Sequence, residues 1–142
     1  MQASDVDRDP VVVPLDDAEC RALLLAGRTG RLAYTRNALP AIEPVAYRVH
    51  GGDVVIPAPR DSPIVPRVRG AVVALGVDAY DGGTRTGWSV TVTGPSRTVD
   101  DPAELAVLEA LFWPVRGTTP GRRYVAVRIG MLSGWRTEPP GP

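Results

Sequence analysis

The spacing of hydrophobic residues along the chain changes at Gly30. Before this residue, the segment PLDDAECRALLLAG places its leucines at helical spacing. After it, hydrophobic and polar residues alternate, which is typical of β-strands. Asp16 and Glu19 have the spacing of a capping box at the start of the helix, and Gly27 stands where the helix should end. We therefore predict one short helix followed by a β-rich domain.

About six or seven strands are predicted after this helix, because alternating segments recur along the rest of the chain. These segments are RLAYTR, AIEPVAYRVH, VVIPA, AVVALGVDAY, WSVTVTGPSRTV and RRYVAVRIGMLSGW. The pair Gly51-Gly52 predicts a tight hairpin between the second and third segments. Trp88 alternates with Val90 and Val92, so we expect its side chain to pack in the core.

A second short helix is predicted in DDPAELAVLEALF, where Asp101 is the N-cap, Pro102 the first helical residue and Glu104 the partner in a capping box. The segment IVPRVR is not predicted to be helical. Ser62 could cap a helix there, but Pro66 lacks the N–H that the next turn needs. The predicted fold class is mainly β: a closed or split antiparallel barrel with two short helices.

Three segments are predicted from the distribution of Pro, Gly and polar residues. Residues 1–10 form a disordered N-terminal segment, residues 11–137 form a single domain, and residues 138–142 form a flexible tail.

Net charge and hydropathy limit the kinds of partner that this protein is expected to bind. The 142 residues carry a formal net charge of zero, which argues against nucleic acid or an anionic membrane as a partner. No apolar run approaches the ~20 residues of a membrane span, and the polar N-terminus is unlike a signal peptide. We therefore expect a cytoplasmic protein.

Residue usage excludes several chemistries. All 16 basic residues are arginine, so neither Schiff-base catalysis nor a lysine clamp on phosphate is possible. One Cys and one His give neither an internal disulfide nor a metal-ligand cluster. Arginine in place of lysine, with frequent Ala, Gly, Pro and Val, is typical of GC-rich bacterial genomes, such as those of actinobacteria.

The order of several sequence blocks resembles that of a known family. GRLAY, PVAY, VDAYD, TRTGWSVTVTG and RRYVAVRIGMLSGWR follow one another between Leu15 and Arg136. This order resembles the pyridoxamine 5′-phosphate oxidase-like family of flavin-binding split barrels. The resemblance implies a homodimer of split β-barrels, with FMN and a small-molecule ligand in each of two clefts between the subunits.

The resemblance also assigns a strand along the flavin ring. The family's PVNY corresponds to PVAY in this chain, so Val45, Ala46 and Tyr47 are expected to contact the ring. Ala46 replaces a polar Asn of the family pattern.

The phosphate-binding turn departs from the family pattern. An Arg or His, a Thr and a Gly-Ser-Lys-like turn correspond here to Pro57, Ala58, Asp61, Ser62 and Pro63, of which Ser62 alone matches. Charge-assisted hydrogen bonds to phosphate are worth ~1.5–3 kcal/mol each. Their loss predicts an affinity for FMN lower by about three decades or more.

Four further residues complete the predicted cofactor site. Arg60 lies within the turn and could replace the missing cation, although Asp61 offsets its charge. By the resemblance, Ser89 is placed near the ring and Trp135 closes the cleft from the partner subunit. Trp88 and Trp135 could both stack on a planar ring.

Three residues are candidates for acid–base chemistry. Glu43 shares a strand face with Val45 and Tyr47, where burial could raise the pKa of its carboxyl. The alternative is a position at the rim, paired with an arginine. His50 could transfer protons near neutral pH, but its place before Gly51-Gly52 favours an exposed hairpin tip. The Tyr47 hydroxyl could orient a substrate or bond a polar partner in the core.

Three functions are consistent with these residues. The first is a flavin-dependent oxidoreductase that holds FMN or a deazaflavin at a weakened phosphate site. The second is a flavin-free enzyme or binder of secondary metabolism that uses the emptied cleft, with Glu43, Tyr47 or His50 as acid or base. The third is a dimeric interaction module without catalysis.

Overall fold

The computed structural model describes residues 9–113 and 121–140 of the chain. These residues form nine strands and three helices. The strands are β1 (Val11–Pro14), β2 (Thr29–Arg36), β3 (Leu39–Ala46), β4 (Arg48–His50), β5 (Asp53–Ala58), β6 (Val72–Asp81), β7 (Thr86–Thr98), β8 (Arg123–Arg128) and β9 (Met131–Glu138). The helices are α1 (Asp17–Ala26), α2 (Val65–Val68) and α3 (Pro102–Glu109).

All strand pairs are antiparallel, and the sheet order is β3-β2-β6-β7-β8-β5-β4, with β9 pairing β7 and β1. The path begins at β3 and ends at β4, so the sheet curls but is not closed by a ladder between β3 and β5. The predicted mainly β architecture is confirmed. The long strand β7 joins the two parts of the sheet, because it pairs first with β6 and β9 and then with β8.

The main core lies inside the curl, where alternating strand residues point. Val73, Leu75 and Val77 of β6 face it and are almost fully buried. A second, smaller core lies between α3 and the other face of β5 and β8. Tyr124 and Ala126 of β8 pack into this second core. Both faces of β8 are therefore covered.

The predicted strand AIEPVAYRVH is interrupted at Tyr47. Its first part, β3, pairs with β2, and its last part, β4, pairs with β5. The Tyr47 N–H donates to the carbonyl of Arg28 at 3.0 Å, so the chain leaves one ladder and enters the other at this residue. The predicted hairpin is present: His50 pairs with Asp53, and Gly51 has φ of 60°.

Two details of the helices correct the sequence prediction. The segment after the proline turn is helical over Val65–Val68, because Pro66 occupies the first turn, where a missing N–H costs nothing. At α3, Asp101 accepts from the Glu104 N–H at 3.0 Å. The Glu104 carboxylate, however, binds Arg97 instead of completing a capping box. By contrast, the capping box of Asp16 and Glu19 is present in full.

The predicted segment boundaries differ slightly from the observed elements. Residues 1–8 and 141–142 lie outside the described residues. Glu138, the first residue of the predicted tail, pairs with Val11 as the last residue of β9. None of the helices described is long and apolar enough to cross a membrane.

Candidate functional site

A cavity of about 160 Å³ lies where β3 and β5 face each other at the open side of the curl. We call it the β3–β5 cavity. It brings together four predicted cofactor residues, Val45 and Ala46 from β3 with Ala58 and Ser62 from β5 and the turn after it. Its other lining residues are Leu32, Pro44, Ile56, Pro57, Pro59, Ile64 and Val125.

The walls of the β3–β5 cavity are almost entirely apolar. Ser62 contributes the only polar side chain among its described lining residues, and none of them is charged. The Ser62 Oγ accepts from the Ile64 N–H at 3.3 Å, and the Ser62 N–H donates to the carbonyl of Pro59 at 3.0 Å. The hydroxyl proton of Ser62 therefore stays available to a ligand, while the turn that carries it is held in place.

Arg60 does not line the cavity. Its side chain is exposed and runs past Gly121, where an added Cβ would lie 3.0 Å from the Arg60 Cδ. Asp61 and Pro63 are exposed in the same turn. The structure thus places the cation of the turn outside the cavity instead of above it.

Tyr47 is buried, with 2% of its surface exposed. Its hydroxyl donates to the carbonyl of Leu24 at 2.6 Å, and burial raises the pKa of Tyr47 to about 12. Gly27 makes this position possible, because a Cβ there would lie 2.2 Å from the Tyr47 hydroxyl oxygen. The side chain lines a different cavity from the one that Val45 and Ala46 line.

Glu43 lies on the inward side of β3 and is half-buried. Its cross-strand partner Leu32 lines the β3–β5 cavity, although Glu43 itself does not. Within residues 9–113 and 121–140, no arginine lies within salt-bridge distance of this carboxylate. The acid–base role of Glu43 stays a prediction.

His50 is exposed at the end of β4, beside the two-residue loop of the hairpin. Its charge contributes to lowering the pKa of Glu104, behind the larger effect of the Arg97 hydrogen bond. His50 is not among the residues that line the β3–β5 cavity.

The three predicted residues on β7 and β9 face two different sides of the sheet. Trp88 is half-buried and packs against the main core. Ser89 and Trp135 are cross-strand partners on the outer side, where the edge of the Trp135 ring meets Tyr80 at a centroid distance of 5.7 Å. Neither Ser89 nor Trp135 lines the β3–β5 cavity of its own chain.

Several lining residues were not singled out from the sequence. Ile56 and Val125 are inward-facing residues whose alternation marks them as core, and Ile64 follows the proline turn. Nothing in their local pattern distinguishes a residue that lines a cavity from one that fills a core. Ile56 and Val125 line the cavity together because they are cross-strand partners on β5 and β8, and this pairing joins segments that are distant in sequence.

Comparisons with known proteins identify the family and the fold. The protein Rv0080 of Mycobacterium tuberculosis is 41% identical over 108 residues, which cover 72% of this chain and 71% of the relative. The FAD binding protein from Mycobacterium smegmatis is 27% identical with a TM-score of 0.72, covering 90% of this chain and 98% of that one. An FAD-binding protein from Mesorhizobium loti shares the fold at 22% identity and a TM-score of 0.78, covering 92% of this chain and 99% of that one. The family model for pyridoxamine 5′-phosphate oxidase matches residues 16–136. The chain therefore belongs to the pyridoxamine 5′-phosphate oxidase family, whose split-barrel fold it shares.

Proposed function

We propose that this protein is a cytoplasmic flavin-dependent oxidoreductase that holds its flavin mainly through the ring and only weakly through phosphate. One observation carries this proposal: the β3–β5 cavity gathers Val45, Ala46, Ala58 and Ser62 from three separate segments of the sequence. Two similar structures are named for FAD binding, so the flavin could be FMN, FAD or a deazaflavin.

In their chemistry, the residues of the cavity fit one part of a flavin and not another. The volume of about 160 Å³ is below the roughly 300 Å³ of a small-molecule pocket, so the cavity would receive only part of the ring. A planar ring system loses little on leaving water for the apolar surface of Val45, Ala46 and Ile56. A phosphate needs charge-assisted donors, but no charged residue lines the cavity in the described part of the chain. Ser62 can donate one hydroxyl hydrogen bond. The ring therefore contributes most of the binding free energy.

The roles of the residues follow from this fit. Val45 and Ala46 would provide one wall for a bound ring, Ala58 would leave room beside it, and Ser62 would donate to an oxygen of the ligand. A bound flavin would supply the hydride or electron transfer, and the apolar walls would limit the access of water to the ring.

We further propose that the protein is a homodimer through the outer side of the sheet. One row of residues in register crosses five strands there, and it consists of Ile42, Ala33, Ala74, Thr93 and Met131. Its two ends are large and exposed, at 63% for Ile42 and 68% for Met131, while its middle is small. A flat row of this shape suits a second copy packed about a two-fold axis.

In such a dimer, Ser89 and Trp135 would face the other subunit, since they lie on the same outer side of the sheet as this row. Each subunit would then complete the site of its partner, which is the role that the resemblance assigns to Trp135. The half-buried ring of Trp135, held by the edge contact with Tyr80, is suited to stack on a ligand.

The binding mode is tested by the absorbance spectrum of the purified protein, followed by titration with riboflavin, FMN and FAD. Riboflavin and FMN should bind within about twofold of each other, because the 5′-phosphate gains little. Ala46→Phe should abolish binding by filling the cavity, whereas Ala103→Phe on the exposed side of α3 should not. Binding of FMN that is tenfold or more tighter than that of riboflavin would contradict the weakened phosphate site.

The homodimer is tested separately by light scattering after gel filtration. Ala74→Arg places a charge in the middle of the outer row and should yield monomers. The matched variant Ala103→Arg should leave the dimer intact. A monomeric wild-type protein at micromolar concentration would contradict the proposed interface.

A second candidate function has its own support: none of the described lining residues is charged, and the half-buried Glu43 has no salt-bridge partner within residues 9–113 and 121–140. If no flavin binds, the cavity would accept a small apolar ligand of secondary metabolism. Glu43 lies outside the lining but pairs with the lining residue Leu32, and it would have to reach the ligand from that neighbouring position to act as acid or base. A colourless protein that retains neither FMN nor FAD after dialysis would favour this function over the first.

A further inference from the structure

A second cavity, of about 430 Å³, lies at the end of α1 and beside β4. We call it the Arg28–Arg48 pocket. It is lined by Leu25, Ala26, Gly27, Arg28, Tyr47, Arg48, Val49 and Phe112. None of these residues lines the β3–β5 cavity, so the two sites are separate.

The Arg28–Arg48 pocket carries two positive charges and no negative one among its described lining residues. Arg28 and Arg48 are exposed, and within the described ranges neither forms a salt bridge. The Arg48 Nη1 donates to the carbonyl of Phe112 at 2.9 Å, which holds this guanidinium at the wall of the pocket. The rest of both guanidinium groups stays available to an anion.

The same pocket presents apolar surface beside the charges. Leu25 is 66% exposed and Phe112 is 74% exposed, and both line the pocket. The buried Tyr47 ring lies against it and is held by its own hydrogen bond to Leu24. A concave apolar surface with a few charged or polar groups beside it is typical of a ligand site.

We propose that the Arg28–Arg48 pocket binds an organic anion in which a carboxylate is joined to an apolar chain or ring. The carboxylate pairs with the guanidinium groups of Arg28 and Arg48, and the apolar part covers Leu25 and Phe112. Arginine suits this task because its planar donors match the two oxygens of a carboxylate. This site acts independently of the proposed flavin site.

The probe for this proposal is decanoate, used below its micelle concentration and followed by isothermal titration calorimetry on the full chain. Decanoate should bind saturably with one equivalent per chain, and the neutral analogue decanol should bind about tenfold or more weakly. Arg28→Gln should weaken decanoate binding about tenfold. The matched variant Arg36→Gln removes an exposed arginine of β2 outside the pocket and should leave binding unchanged.

The apolar contribution needs its own variants. Phe112→Ser should weaken decanoate binding severalfold, whereas Val107→Ser, which removes an exposed side chain of α3 outside the pocket, should not. Thermal melting of each variant verifies that it is folded.

Three outcomes would overturn the proposal. If decanol binds as tightly as decanoate, the arginine charges do not contribute to binding. If Arg28→Gln and Arg36→Gln weaken binding equally, decanoate does not bind specifically at the Arg28–Arg48 pocket. Displacement of decanoate by riboflavin shows that the two cavities are not independent. Failure of flavin binding, by contrast, leaves this inference untouched.

Discussion

The Tyr47 hydroxyl and the Leu24 carbonyl form a buried hydrogen bond of 2.6 Å that ties the end of α1 to the point where the chain passes from one ladder to another. The carbonyl belongs to the last turn of the helix, where, among the described residues, it otherwise accepts only a share of the Gly27 N–H, at 3.3 Å, which also donates to the Leu23 carbonyl at 3.2 Å. One side chain thus satisfies a helix end and anchors the junction between β3 and β4.

Tyr47→Phe removes the hydroxyl and leaves the buried Leu24 carbonyl, among its described partners, with only the Gly27 N–H, which it shares with the Leu23 carbonyl. We expect the free energy of unfolding to fall by ~1–2 kcal/mol at neutral pH. Urea denaturation measures this change. A variant as stable as the wild type would show that water replaces the hydroxyl.

The stability of the protein should also depend on pH in the alkaline range because of Tyr47. Its pKa in the fold is raised to about 12, above the value of about 10 for an unfolded chain. The folded state therefore keeps a proton that the unfolded state loses. The corresponding stabilisation is fully present below pH ~10 and is lost as the pH rises towards ~12. Tyr47→Phe should lack this component of the pH profile, which thermal melting from pH 8 to 12 would reveal.

Gly27 is required because of this same hydroxyl. A Cβ at position 27 would lie 2.2 Å from the Tyr47 oxygen, which belongs to a rigid and buried ring. Gly27→Ala should therefore destabilise the fold by ~1–3 kcal/mol, as overpacking does. Gly82→Ala is the matched control, because an added Cβ there meets nothing within 4 Å.

A double variant separates the clash from other effects of alanine at position 27. Tyr47→Phe removes the clashing oxygen, so adding Gly27→Ala to it should cost less than adding Gly27→Ala to the wild type. Strictly additive changes in urea denaturation would contradict the proposed contact.

Arg97 joins β5, β7 and α3 at the surface. Its Nη2 lies 3.1 Å from the Asp53 carboxylate and 2.6 Å from that of Glu104. The hydrogen bond from Arg97 lowers the pKa of Glu104, so its stabilisation is present above pH ~4.3 and is lost as the pH falls through the folded value. Glu104→Gln should cost ~0.2–1 kcal/mol at pH 7, the range of partly exposed pairs, and less at pH 2.

Glu109→Gln on the same helix is the control, since the described part of the chain offers Glu109 no salt-bridge partner. Thermal melting at both pH values compares the two variants. An equal loss of stability in both variants at pH 7 would mean that the ion pair between Arg97 and Glu104 does not stabilise the fold.

Glu43→Gln tests whether this carboxylate acts in chemistry or only in packing. The substitution preserves shape, and no ion pair is lost among the described residues, so stability should change by less than ~0.5 kcal/mol. If Glu43 is the acid or base of the flavin-free alternative, ligand turnover should be lost while folding is retained. Unchanged turnover would favour the alternative that Glu43 is a rim residue without a role in chemistry.

Local sequence patterns were sufficient to predict much of the secondary structure. The capping box of Asp16 and Glu19, the Gly51-Gly52 hairpin and the inward face of Val73, Leu75 and Val77 all depend on residues close in sequence. Their geometry follows from backbone conformation and period-two alternation, which neighbouring residues largely determine.

Other features depended on contacts between distant segments. The sequence alone did not predict that Glu104 would bind Arg97 instead of its own helix end, because this choice depends on where β7 passes α3. Tyr47 likewise looked like one residue of a continuous strand. Its switch between ladders requires the carbonyl of Arg28, which lies nineteen positions earlier in the numbering.

The same distinction between local sequence and long-range contacts applies to the candidate site. By itself, the sequence determined that Pro57, Ala58 and Pro63 offer no polar side chain and that the chain contains no lysine, since these are properties of residue identity. Only the tertiary structure decided that Ala46, Ala58 and Ser62 meet in one cavity, and that Arg60 lies beside Gly121 without lining that cavity. The position of a cavity is a property of packing between strands, and packing is settled by long-range register, which no short stretch of sequence contains.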